Sequence, residues 1–86
     1  MSTTAVQTLV RVTYNGVVRE LAYQPHEQVT ALLQRAVHLF GITANAHLLS
    51  LFNESGQELP DNESVQAAGV KPGDLLILRQ SVVKGG

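Results

Sequence analysis

The sequence predicts an α+β domain in which one helix packs over a single face of a mixed four-to-five-stranded sheet. Three stretches carry the prediction. Asn15-Gly16 joins two runs rich in β-branched residues, and this dipeptide is the strongest short hairpin signal because both positions tolerate positive φ. Val29, Leu32, Leu33, Ala36, Val37 and Phe40 recur at i, i+3, i+4, i+7, i+8 and i+11, an apolar stripe at helical spacing. Leu75-Leu76-Ile77-Leu78 is apolar throughout, as suits a strand in the middle of a sheet.

The elements follow in chain order. The first strand spans Thr8 to Tyr14, with Val10, Val12 and Tyr14 on one face. The second runs from about Val17 to Tyr23. A two-residue turn sets Arg11 opposite Glu20 as a cross-strand ion pair worth about 0.2–1 kcal/mol. That register also puts Arg19 on the face of Val10, Val12 and Leu21. Either its charge hangs into water at the open end of the sheet, or a bulge shifts the register.

Pro25 closes the second strand, and Glu27 places a negative charge at the helix N-terminus. Gly41 supplies a left-handed stop, and Ile42 folds back onto the last turn. His47 to Asn53 reads as a third strand with Leu49 and Leu51 inward and Leu48, Ser50 and Phe52 on the solvent side. Glu54-Ser55-Gly56 turns into a short edge strand, Gln57-Glu58-Leu59, which Pro60 ends. Residues 61–64 cap one helical turn through Ala68, stopped by Gly69. Lys71-Pro72-Gly73-Asp74 is a proline-glycine turn into the last strand. Three segments result: a disordered lead over 1–7, the folded domain over 8–80, and a flexible tail over 81–86.

Composition excludes several functions. The 86 residues make one domain, long enough to bury about 60–65% of the unfolded surface without staples. With no cysteine there is no disulfide, thiol nucleophile or thiolate metal site. His26, His38 and His47 lack metal-ligand spacing, so no metal is expected. A net charge of −1 lacks the basic face that nucleic acid requires. No apolar run reaches the ~20 residues of a membrane span, and the N-terminus has no signal-peptide order. The expected compartment is the cytoplasm and the expected state a monomer.

The end of the chain is the informative stretch. Gly85-Gly86 has no side chain to pack and the highest backbone entropy of any pair, so it adds nothing to the stability of a fold. It suits a chain end that threads a narrow cleft where any Cβ would collide. A frayed terminus is the plain alternative.

Over about residues 8–86 the chain resembles ubiquitin and its relatives, which have the β-grasp fold. The resemblance rests on the hairpin, Pro25 before the helix, the Gly41-Ile42 exit, and Gly56-Gln57-Glu58-Leu59. The turn at Glu63–Ala68, the alternating Leu76 and Leu78, and Gly85-Gly86 complete it. It implies a protein modifier rather than an enzyme. A terminal carboxylate is ionised at neutral pH, with an ordinary pKa near ~3.5, and is a poor electrophile. Family members are therefore adenylated with ATP by a partner activating enzyme, passed on as a thioester by a conjugating enzyme, joined to target proteins and removed by a deconjugating protease. Carried over, Gly86 is the reacting group, Gly85 its slim neighbour, and Arg79, Gln80, Ser81, Val82, Val83 and Lys84 the stretch a partner grips. No bound cofactor is implied.

Departures from ubiquitin narrow this expectation. The positions of its apolar recognition patch fall at Asn15-Gly16, Ser50 and Arg79, which are polar or bare. The only lysines are Lys71 and Lys84, so chains through Lys71 are the one expected kind. The sequence looks more like the small ubiquitin-like proteins of bacteria encoded beside their own conjugation enzymes, some in antiphage defence operons. A sulfur carrier with a Gly86 thiocarboxylate, of the thiamin or molybdopterin type, is the rival expectation. Against it, such carriers are usually shorter across Gln57–Val70. A non-covalent ubiquitin-like interaction module is the third. Two smaller features are read plainly: His47 as an exposed strand residue, and Glu54, Glu58, Asp61 and Glu63 as a solvated loop or a docking surface for a basic partner.

Overall fold

The computed structural model describes residues 8–81. Four strands, β1 (Leu9–Tyr14), β2 (Val17–Ala22), β3 (Leu49–Phe52) and β4 (Leu75–Gln80), form one sheet in the order β2-β1-β4-β3. Both β1–β2 and β3–β4 pair antiparallel, while β1 and β4 run parallel, so the sheet is mixed and β4 is central as expected. The one α-helix among the described residues, α1 (Val29–Leu39), buries Val29, Leu32, Leu33 and Ala36 in one cluster with Val10, Val12, Leu51, Leu76 and Leu78 from the strands.

Local sequence accounts for most of these elements. Asn15 and Gly16 take φ of +52° and +82°, the two positive values a type I′ hairpin requires. The register is the two-residue one, with Arg11 opposite Glu20 and Val12 opposite Arg19. No bulge forms: β2 is an edge strand and Arg19 is exposed, so its charge stays in water. The expected Arg11–Glu20 ion pair is not made. The Arg11 guanidinium instead donates to the Gly73 carbonyl at 3.3 Å, across the parallel β1–β4 seam. At the helix end, the Gly41 and Ile42 N–H groups donate to the His38 and Val37 carbonyls at 3.0 and 3.1 Å. With Gly41 at φ +67° this is a Schellman stop.

Three expectations need correction. Residues 46–48 form a 3₁₀ turn entered through Asn45 at φ +59°, so β3 begins at Leu49 rather than His47. The edge strand shrinks to one bridge between Phe52 and Glu58, followed by a Leu59 N–H bond to the Leu51 carbonyl at 2.8 Å. The face of β3 carrying Ser50 is not a solvent face: all four β3 residues are buried, Ser50 at 0% and Phe52 at 4% exposure.

The segment from 61 to 66 has a role that local pattern does not announce. It makes one turn, in which the Ser64 hydroxyl caps the Ala67 N–H at 3.0 Å. The carbonyls of Glu63 and Asp61 then accept the Val29 and Thr30 N–H groups at 2.9 and 3.1 Å. Two of the unpaired donors at the start of α1 are thus satisfied from more than 30 residues away.

Glu27 ties the same helix entry to the sheet. Its carboxylate accepts two bonds from Arg35 and one from the Gln24 N–H, while Arg35 also donates to the Ala22 carbonyl at 2.6 Å. Burial pushes the Glu27 carboxyl up, but the Arg35 and Gln24 hydrogen bonds and the charges of Arg35 and His26 outweigh it and leave the pKa lowered. A native pKa below the unfolded one stabilises the fold above the unfolded value of about 4.3, and that contribution is lost as pH falls through the native pKa. Glu27→Gln is therefore expected to destabilise by about 0.5–1 kcal/mol at pH 7. It should also flatten the fall in the urea midpoint on acidification below about pH 4. Parallel midpoint-versus-pH curves for the two proteins would place the acid sensitivity in another group.

Candidate functional site

Of the residues singled out by sequence, Arg79, Gln80 and Ser81 lie at the end of β4 and Lys71 at its other end. Residues 82–86, which include Val82, Val83, Lys84, Gly85 and Gly86, lie outside the described residues. Arg79, Gln80 and Ser81 do not belong to a loose tail. Arg79 and Gln80 are the last two residues of β4, paired with Ser50 and Leu49 of β3. The Arg79 guanidinium carbon lies 4.2 Å from the centre of the Phe52 ring, a cation–π contact that covers this aromatic.

Ser81 is only 1% exposed, so the folded body extends one residue beyond the boundary at 80. The physical reason is a set of bonds that no local pattern encodes. The Ser81 N–H donates to the Leu48 carbonyl at 2.8 Å. Its hydroxyl lies 3.0 and 2.9 Å from the two Glu58 carboxylate oxygens. The Ser50 hydroxyl donates to the same carboxylate at 2.8 Å. Glu58, read from the sequence as one of four acidic loop residues, is thus the half-buried acceptor for two buried hydroxyls. A serine at a strand position facing an acidic edge segment is the only sequence signal of this, and it is weak.

The patch positions sort differently from one another. Asn15-Gly16 is the exposed hairpin tip, Ser50 is buried under Glu58, and Arg79 is exposed above Phe52. Beside them, strand register lines up Val18, Thr13, Ile77 and Phe52 across the sheet on the face away from α1. Val18 is 52% exposed and Ile77 half-buried. This apolar row is missed when β4 is read as buried on both faces.

Lys71 is exposed at the opposite end of β4, where its N–H bonds the Asp74 carboxylate at 2.9 Å. Gly73 at φ +83° completes a type II turn there. The full length of β4 separates Lys71 from Ser81. Of the acidic residues, Glu54 and Glu63 are exposed and Glu58 and Asp61 half-buried. His26, His38 and His47 are exposed. Among the described residues no group of three or more His, Cys, Asp or Glu is placed to hold a metal ion. No described helix is long and apolar enough to cross a membrane.

No family model and no curated protein matches this sequence. Solved structures do match the fold. The UBL domain of Plasmodium falciparum Dsk2 superimposes with a TM-score of 0.74 at 22% identity, covering 88% of this chain and 100% of that one. The ubiquitin of Caldiarchaeum subterraneum gives 0.71 at 23% identity, over 94% of this chain and 100% of its own. The fold is the ubiquitin-like β-grasp. A structure of ATBAG1 in complex with HSP70 gives 0.74 at 19% identity, and there the match spans 90% of this chain and 42% of the other. On this ubiquitin-like body the central strand β4 delivers the chain to Ser81 and Glu58, five residues short of the end of the diglycine.

Proposed function

We propose that this chain is a ubiquitin-like protein modifier that acts through the Gly86 carboxylate, whether that carboxylate is encoded as such or released by a protease. The observation that carries the reading is the diglycine standing five residues past a pinned Ser81 on a ubiquitin-like body. Those five residues span at most about 18 Å when fully extended, enough to enter a cleft while the body stays outside it.

The chemistry belongs to the partner enzymes. A Gly86 carboxylate oxygen attacks the α-phosphorus of ATP, pyrophosphate leaves, and the resulting acyl adenylate is an electrophile. A cysteine thiolate of the activating enzyme displaces AMP to give a thioester. After transfer to a conjugating enzyme, a target amine attacks the thioester carbonyl and the thiolate leaves. Beyond that carboxylate oxygen the chain contributes no acid, base or nucleophile, and it binds no cofactor. A deconjugating protease reverses the final bond. The setting is the cytoplasm, in a bacterial-type conjugation pathway such as one serving antiphage defence.

A non-covalent interaction module is the second reading, favoured by the row of Val18, Thr13, Ile77 and Phe52 on the outer face of the sheet, where Val18 is exposed and Thr13 and Ile77 are half-buried. The intact mass of the protein from its native cells, with the C-terminal peptide sequenced, separates the readings. A Gly86 carbonyl joined to a foreign peptide is expected. Sulfur in place of an oxygen at Gly86 would make the chain a sulfur carrier. An unmodified Gly86 under every growth condition would leave the interaction module.

A further inference from the structure

We propose that Asn15 is a self-modification site, where the Gly16 backbone nitrogen attacks the Asn15 side-chain carbonyl carbon and the hairpin tip becomes an isoaspartate or an aspartate. The new N–Cγ bond closes a five-membered succinimide, and the side-chain amide leaves as ammonia. Water then adds to one of the two ring carbonyls and breaks its bond to the ring nitrogen. Opening at the side-chain carbonyl gives aspartate, and opening at the backbone carbonyl gives isoaspartate. One amide and one water become one carboxylate and one ammonium ion, with no oxidant, metal or enzyme in the balance.

The chain has four asparagines, Asn15, Asn45, Asn53 and Asn62, and the turn at Asn15 suits the ring best. Asn15 is followed by glycine, so no side chain shields the attacking nitrogen, whereas Ala46, Glu54 and Glu63 follow the others. Both tip residues are exposed, and nothing lies within 4 Å of where a Gly16 Cβ would stand. A planar ring sets the Asn15 ψ near about −120°, which with φ near about +60° is the first central position of a type II′ turn, the mirror image of type II. Asn15 already holds φ +52°. The ring therefore asks only that the 15–16 peptide plane rotate. That rotation exchanges type I′ for type II′, the other turn that closes a two-residue hairpin, so neither strand has to move. Gly16 then reverses the sign of its φ from +82°, a change glycine makes freely.

The other three asparagines are held by hydrogen bonds that such a rotation breaks. The Asn45 carbonyl accepts the Leu48 N–H at 3.0 Å, and the Glu63 N–H after Asn62 donates to the Pro60 carbonyl at 3.4 Å. The Asn53 carbonyl accepts the Gly56 N–H at 2.9 Å, and its side chain is bonded to Gln57 at 3.0 and 3.3 Å. Asn15 lines a cleft with Tyr14, Arg79 and Gln80 at the end of β4, so the reaction adds one negative charge where Arg79 stands, on a chain of net charge −1. The site is independent of conjugation at Gly86.

The full chain, incubated in heavy-oxygen water at neutral and at mildly alkaline pH, would be digested in ordinary water and mapped by fragment-ion sequencing. The tryptic peptide 12–19 holds Asn15 as its one asparagine. Label at position 15 is expected at least about tenfold ahead of label at Asn53, whose bonds to Gln57 must break first. The labelled peptide should separate into isoaspartate and aspartate forms. Its rate should rise with pH, because the attacking nitrogen must lose its proton. Gly16→Ala, which crowds that nitrogen, should remove most of the label. Because alanine at φ +82° strains the turn, Asn15→Gln is tested beside it; it keeps an amide but needs a slower six-membered ring, and it too should lose most of the label. Label in the aspartate form alone would mean direct attack by water and would overturn the ring. Label at position 15 no faster than at Asn53, or an unchanged rate in both variants, would overturn the site.

Discussion

Gly86→Val and Gly85→Val variants are expected to lose covalent products by at least about 100-fold while keeping the melting temperature of the parent. Neither residue belongs to the hydrophobic cluster that holds helix and sheet together, all of whose members precede Ser81. In an activating-enzyme cleft the added side chain collides with the walls. It displaces the carboxylate from in-line attack on the α-phosphorus, and an ångström of misplacement is enough for the stated loss. Lys84→Ala, which removes a charge but adds no bulk near the carbonyl, should cost no more than a few-fold. The comparison needs the tagged protein returned to its native cells and conjugates counted by immunoblot. Wild-type conjugate levels in Gly86→Val would remove the modifier reading outright, since that reading places the new bond on the Gly86 carbonyl.

Leu51→Ala should produce the largest loss of stability of any single truncation in the sheet. Leu51 is fully buried, pairs with Leu78 on the central strand, and belongs to the cluster that joins sheet and helix. Its carbonyl also accepts the Leu59 N–H, so the residue anchors the loop that returns from Glu58. Truncation removes buried apolar atoms and leaves a cavity that a twisted sheet cannot close. The expected cost is about 2–5 kcal/mol, a large share of the roughly 5–15 kcal/mol of a small domain. That corresponds to a fall in Tm of roughly 10–30 °C. Leu39→Ala, at a helix position 41% exposed, is expected to stay within about 0.5 kcal/mol. Thermal melts followed by circular dichroism test the contrast. Similar Tm values for the two variants would mean that Leu51 is not where helix and sheet meet.

The two classes of expectation depend on different parts of the chain, which can therefore be tested separately. Leu51 bears on whether the body folds, and Gly86 bears on the proposed attachment of the folded body to targets.

Sequence by itself determined the elements whose signals are local. Asn15-Gly16 set the hairpin turn, because few dipeptides accept two consecutive positive φ angles, whereas the choice between the two-residue register and a bulge near Arg19 was made by the folded sheet. The stripe from Val29 to Phe40 set the helix and its buried face, and Gly41-Ile42 set its end, through spacings contained within a few turns. Tertiary structure alone decided where Ser50, Glu58 and Ser81 meet, how the carbonyls of Asp61 and Glu63 cap α1, and that Arg11 turns to Gly73 rather than Glu20. The same is true of the apolar row across the outer face of the sheet, which exists only once four strands are in register. The physical reason is common to all of these. A polar side chain takes the partner that the folded backbone brings within about 3 Å, and residues far apart in the chain reach that distance only after the core has packed.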